Sequence, residues 1–130
     1  MTPRRSNRGR LSRSAEFERV YRQGRSTANR HLVLYAFPNA SAERPRLGLS
    51  VSRKVGAAVE RNRVKRLLRE AFAQVEPELD SGQDVVLVAR PSVLELAERE
   101  GLAGLRVSLA ELAEKAGLRV APRPEGESPQ

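Results

Sequence analysis

The 130-residue chain carries 24 Lys and Arg against 16 Asp and Glu, a net charge of +8, with 39% hydrophobic residues and no cysteine. That length supports one domain around a single modest core, and the lack of cysteine excludes disulfides, thiolate metal sites and cysteine nucleophiles. There is no apolar run of about 18 residues and no signal-peptide-like N-terminus, so a soluble, cytoplasmic protein is expected, with no membrane partner.

The charge is strongly polarised. Residues 1–31 hold nine Arg against two Glu, and residues 44–69 hold nine Arg or Lys against one Glu. Residues 70–130 reverse the balance, with twelve acidic residues against six basic ones. A basic N-terminal half joined to an acidic C-terminal half implies a polyanion-binding face rather than a general solubility device. Arg outnumbers Lys by 21 to 3. Guanidinium suits phosphate and base stacking, but genomic base composition explains the ratio equally well.

In chain order, residues 1–10 read as a flexible basic arm containing Arg4, Arg5, Arg8 and Arg10. A domain is expected over 11–118, followed by a Pro-rich disordered tail over 119–130. Ser12 or Ser14 can cap a short helix in which Phe17, Val20 and Tyr21 stand at i, i+3, i+4, with Gly24 as its stop. A short extended piece is expected around Arg25–Thr27. His31–Phe37, rich in β-branched and aromatic residues, and Leu47–Ser52 read as strands. A long helix begins between Ala57 and Asn62, and the apolar spacing of Val64, Leu67, Leu68, Ala71, Phe72 and Val75 carries it to Pro77. Asp84–Ala89 has strand length. Ser92 with Glu95 forms a capping-box pattern for a last helix, which Gly101 interrupts and Gly117 stops. The result is an α+β sandwich with helices packed on a sheet.

The strongest local signal is the segment Arg61–Arg69. At about 100° per residue, Arg61, Lys65 and Arg69 form one row beside the apolar face, and Asn62 and Arg66 form the next. No acid stands between Arg61 and Arg69, whereas a solvated helix face normally intersperses acids at i, i+4. A second clue comes from strand alternation. If Leu32 and Leu34 share the core with Leu47, Leu49 and Val51, Tyr35 faces the other way, beside Gly48, Ser50 and Ser52 and near Arg53 and Lys54. Such an aromatic can stack unpaired bases or pack beneath a helix, and the spacing alone does not decide.

Catalytic groupings are poor. His31 is the only histidine, so no histidine pair exists for metal or acid–base work. Glu76, Glu78, Asp80 and Asp84 read as solvating residues of a turn region. Gly48, Gly56 and Gly82 form no phosphate loop, and Ser50 and Ser52 have no base to activate them. No catalytic residue and no protein-bound metal is expected.

Three segments together resemble the bacterial ribonuclease P protein family. They are Glu16–Gly24, then Ala28-Asn29-Arg30 running into the strand with Tyr35, and Arg46–Gly56 leading through Ala58-Val59 to the Arg61–Arg69 helix. The resemblance extends from about Leu11 to Leu118. It implies a single-domain α/β sandwich in αβββαβα order with a left-handed βαβ crossover, like the second domain of ribosomal protein S5. It also implies a division of labour in the 5′ maturation of precursor tRNA. The catalytic RNA would hold Mg²⁺ and cut the phosphodiester, while the protein binds that RNA and the 5′ leader, with no protein oligomer required. Phe17, Tyr21 and Tyr35 match the family's leader cleft, with Ser50, Arg53 and Lys54 beside it. Arg61, Asn62, Arg63, Lys65, Arg66 and Arg69 match its RNA-facing helix. A structural ribosomal RNA-binding protein is the alternative of similar charge and class.

Overall fold

A computed structural model describes residues 14–39, 44–79 and 82–118. The expected arm, tail and Ser12 cap lie outside these residues, as do Asp80 and Ser81. The elements are α1 (Ser14–Gln23), β1 (Arg25–Ala28), β2 (Leu32–Pro38), β3 (Arg46–Ser50), α2 (Ala58–Val75), β4 (Gln83–Ala89) and α3 (Ser92–Lys115). Their order is the expected αβββαβα. No helix among the described residues is long and apolar enough to cross a membrane.

The four strands form one mixed sheet in the order β1-β2-β4-β3. β2 pairs antiparallel with β1 and with β4, whereas β3 runs parallel to β4. A parallel neighbour needs a long crossover, and α2 supplies it. β4 takes the centre because its run Val85-Val86-Leu87 is apolar on both faces and buried throughout, as a strand covered on both sides requires.

Alternation then sorts the side chains. Leu32, Leu34 and Ala36 of β2, Leu47 of β3 and Val85, Leu87 and Ala89 of β4 face the main core. Val64, Leu68, Ala71, Phe72 and Val75 of α2 and Val93, Leu96, Leu105, Leu109 and Leu112 of α3 close over them. The opposite face carries a smaller apolar cluster centred on Val20 of α1 and Val86, with Phe17, Tyr35, Phe37 and Val88 around it. The sheet is thus covered by two helices on one side and by the short α1 on the other.

Two glycines shape the helices. A Cβ on Gly24 would stand 2.5 Å from the Val20 carbonyl oxygen and 2.6 Å from that of Ala36, so a residue without a side chain lets α1 end against β2. Gly101 adopts φ 62°, ψ −149° and breaks the run of α3, a conformation that L side chains disfavour.

The start of α3 differs from the sequence reading. The backbone is already helical at Pro91 (φ −53°, ψ −33°), and no side chain caps the helix. Ser92 therefore lies inside the first turn and forms no capping box with Glu95. Its Oγ donates instead to the Arg30 carbonyl at 3.0 Å and lies 2.8 Å from His31 Nδ1. A hydroxyl has one proton to give, so His31 Nδ1 is the donor in that second contact.

Candidate nucleic-acid interface

On α1, Phe17, Val20 and Tyr21 share a face because residues three and four apart on a helix are neighbours. Val20 is the buried member at 0% exposure, and Tyr21 remains 38% exposed. The Phe17 and Tyr21 rings are 6.3 Å apart, and the Tyr21 and Tyr35 rings meet edge to face at 4.9 Å and 82°. Three aromatics from two distant segments thus form one continuous group, with Tyr21 in the middle.

The surroundings of Tyr35 are not those the strand pattern suggested. β4 separates β2 from β3, so Tyr35 is flanked by Ser26 of β1 and Val86 of β4, with Gly48 beyond Val86. Ser50 lies one row further along, across Val88 from Val33. The small residues of β3 share the face with Tyr35 but do not adjoin it. Arg53 and Lys54 are exposed in the connection from β3 to α2.

α2 carries the basic row as the periodicity predicts. Asn62, Arg66 and Arg69 are exposed, and Arg61, Arg63 and Lys65 are partly covered. Glu60, the one acid before Glu70 in this helix, accepts a hydrogen bond from the Ala57 backbone N–H at 2.8 Å, which satisfies a helix-end donor. Among the described residues, no carboxylate pairs with Arg61, Arg63, Lys65 or Arg66. Elsewhere, Arg22 pairs with Glu18, Arg44 with Glu76 and Arg99 with Glu95. The structure therefore gathers Phe17, Tyr21 and Tyr35 on one face of the sheet, while α2 packs on the other. Arg53 and Lys54 lie in the connection that leads into α2.

Asp84 was misread as a solvating turn residue. It is the second residue of β4 and its side chain is fully buried. Arg46 Nε and Nη2 donate to its two oxygens at 2.8 and 2.9 Å. Arg19 Nη2 donates at 2.6 Å, and Asn39 Nδ2 at 3.2 Å. Arg46 also donates to Glu16 at 3.2 Å, and the Arg19 guanidinium sits 5.2 Å over the Phe37 ring. Burial by itself would raise the Asp84 pKa. The hydrogen bonds from Arg46 and Asn39 and the charges of Arg46 and Arg19 outweigh it and hold the carboxyl below its ordinary range. Hydrogen bonding to Asp84 in turn raises the Arg46 pKa, against the opposing effect of burial.

His31 is engaged by Ser92, and among the described residues no group of three or more His, Cys, Asp or Glu side chains is placed to hold a metal ion. The geometry offers an aromatic surface and a cationic helix, which suit stacking and phosphate neutralisation.

Comparison with known proteins finds relatives over most of the chain. The profile of the family described as Ribonuclease P matches residues 6–116. The ribonuclease P protein component of Bacillus cereus is 38% identical over 110 residues, covering 85% of this chain and 92% of that one. That of Bacillus anthracis is 37% identical over the same length, covering 89% of its own chain. Among solved structures, the RNase P protein of Staphylococcus aureus superposes with a TM-score of 0.75 at 32% identity, covering 85% of this chain and 97% of that one. The RNase P protein of Thermotoga maritima gives 0.73 at 31% identity, covering 82% and 96%. Sequence profile, relatives and fold agree over most of the length: the chain belongs to the ribonuclease P protein family.

Proposed function

We propose that this chain assists a catalytic RNA in removing the 5′ leader of precursor tRNA, by binding both that RNA and the leader. The cationic face of α2 neutralises phosphates of the catalytic RNA. Phe17, Tyr21 and Tyr35 stack leader bases, and Ser50, Arg53 and Lys54 contribute further contacts to the leader. Mg²⁺ belongs to the RNA, where it supplies the chemistry of phosphodiester hydrolysis. The protein acts in the cytoplasm and needs no second protein copy for this role.

The observation that carries the reading is that Arg61, Arg63, Lys65 and Arg66 of α2 meet no carboxylate among the described residues. Clustered like charges repel one another unless a polyanion compensates them. Arg and Lys contacts to phosphate release counterions, so each contributes roughly 0.7–0.9 to the slope of log affinity against log salt. Lys65→Ala and Arg66→Ala are each expected to flatten that slope, measured for binding to ribonuclease P RNA, by somewhat less than one. Slopes unchanged in both variants would mean that this face is merely solvated.

A further inference from the structure

The Asp84 network grips α1, the helix that carries two of the three aromatics. α1 has ten residues, too few to be stable on its own, so its placement depends on what it touches. Its apolar contacts are Val20 against Val86, with Phe17 packed beside them, and the edge of Tyr21 on Tyr35. These hold α1 on the sheet along one stripe, and the polar contacts fix its rotation about that stripe. Arg19 reaches Asp84 at 2.6 Å, and Glu16, one turn earlier, accepts from Arg46 at 3.2 Å. Arg46 also binds both oxygens of Asp84, the two residues facing each other across β3 and β4. Two points on α1 are thus tied to one charge pair fixed in the sheet. Phe17 lies between them in sequence, and Tyr21 follows half a turn later.

We propose that Arg19, Asp84 and Arg46 are positioning residues for leader binding, setting the rotation of α1 so that Phe17 and Tyr21 form one stacking surface with Tyr35. This rests on the reading of those aromatics as the leader-binding surface. In this role the network acts through α1, and its own ring contact is Arg19 over Phe37. It determines whether the stacking surface exists in the free protein, and preorganisation of that kind lowers the cost of binding.

Arg19→Gln tests the idea while leaving the Arg46–Asp84 pair in place, and Arg19 is partly exposed, so the fold should persist. The variant is assembled in full length with ribonuclease P RNA. Affinities for leader-bearing and mature tRNA are measured across a salt series, with Tyr35→Ala in parallel and the melting temperature of each variant recorded. The expected result is a roughly three- to tenfold weaker affinity for the leader-bearing precursor, an unchanged affinity for mature tRNA and an unchanged salt slope. A slope flattened by nearly one would make Arg19 a direct phosphate contact and overturn the positioning role. Equal loss for both ligands, or no loss, overturns it as well, while discrimination lost in Tyr35→Ala leaves the leader surface standing. If Tyr35→Ala also discriminates nothing, the leader surface itself is wrong and the positioning role falls with it.

Discussion

Replacing Asp84 with asparagine is expected to lower the stability of the fold by about 3–5 kcal/mol at neutral pH, the usual cost of removing one partner from a buried ion pair. Asparagine matches the shape of aspartate but gives up the charge, and its amide presents donors where Arg46 and Arg19 already donate. The loss should depend on pH in a defined sense. The folded-state pKa of Asp84 lies below its ordinary value. Between the folded and unfolded values the unfolded chain binds more protons, so this contribution to stability rises with pH. It is complete above the unfolded value of about 4 and is lost as pH falls through the folded one. Urea unfolding of both forms across an acid series checks this: the gap between them should narrow steadily below about pH 4. A gap that stays constant into strong acid would show that the carboxylate charge is not what stabilises the site.

The second large effect concerns the aromatics. Stacking on such side chains is worth about 1–3 kcal/mol per base and tolerates any sequence. Phe17→Ala and Tyr35→Ala, each assembled with ribonuclease P RNA, should therefore weaken leader-bearing precursor by roughly five- to 150-fold and barely alter binding of mature tRNA. Both residues also pack around Val20 and Val86, so some loss of thermal stability accompanies each change. Equilibrium binding of the two tRNAs, read beside the melting temperatures, separates these contributions. Equal weakening of both ligands would reduce the aromatics to core packing that holds α1 in place.

Much of the fold was legible because it is written in local periods. The 3–4 spacing from Val64 to Val75 and the β-branched run of β2 each specify their element without reference to the rest of the chain. Gly24 and Gly101 mark helix interruptions where the structure has them. Strand order was not legible in the same way, because the β2–β4 and β3–β4 pairings join residues far apart in sequence. The available clue was the double-sided apolar run of β4, which marks a central strand. Asp84 was missed for a related reason. Its partners Arg46 and Arg19 lie 38 and 65 residues away, and an acid at the edge of a strand resembles turn solvation until those partners are in place. At Ser92 a local pattern misled, since the chain is already helical at Pro91 and the hydroxyl is drawn to Arg30 and His31. The candidate site divides along the same line. Spacing set the α2 cations beside the apolar face and turned Tyr35 away from Leu32 and Leu34, and the family resemblance added Phe17 and Tyr21, but neither gave the placement of β4 between Tyr35 and Ser50.

The central claim is that the chain contributes RNA binding and leaves bond cleavage to its RNA partner. The most direct test incubates precursor tRNA and Mg²⁺ with protein rigorously freed of RNA, and in parallel with the same protein plus a bacterial ribonuclease P RNA. The account predicts an intact precursor in the first case and 5′ maturation in the second. Cleavage at the leader junction by the RNA-free protein would contradict it.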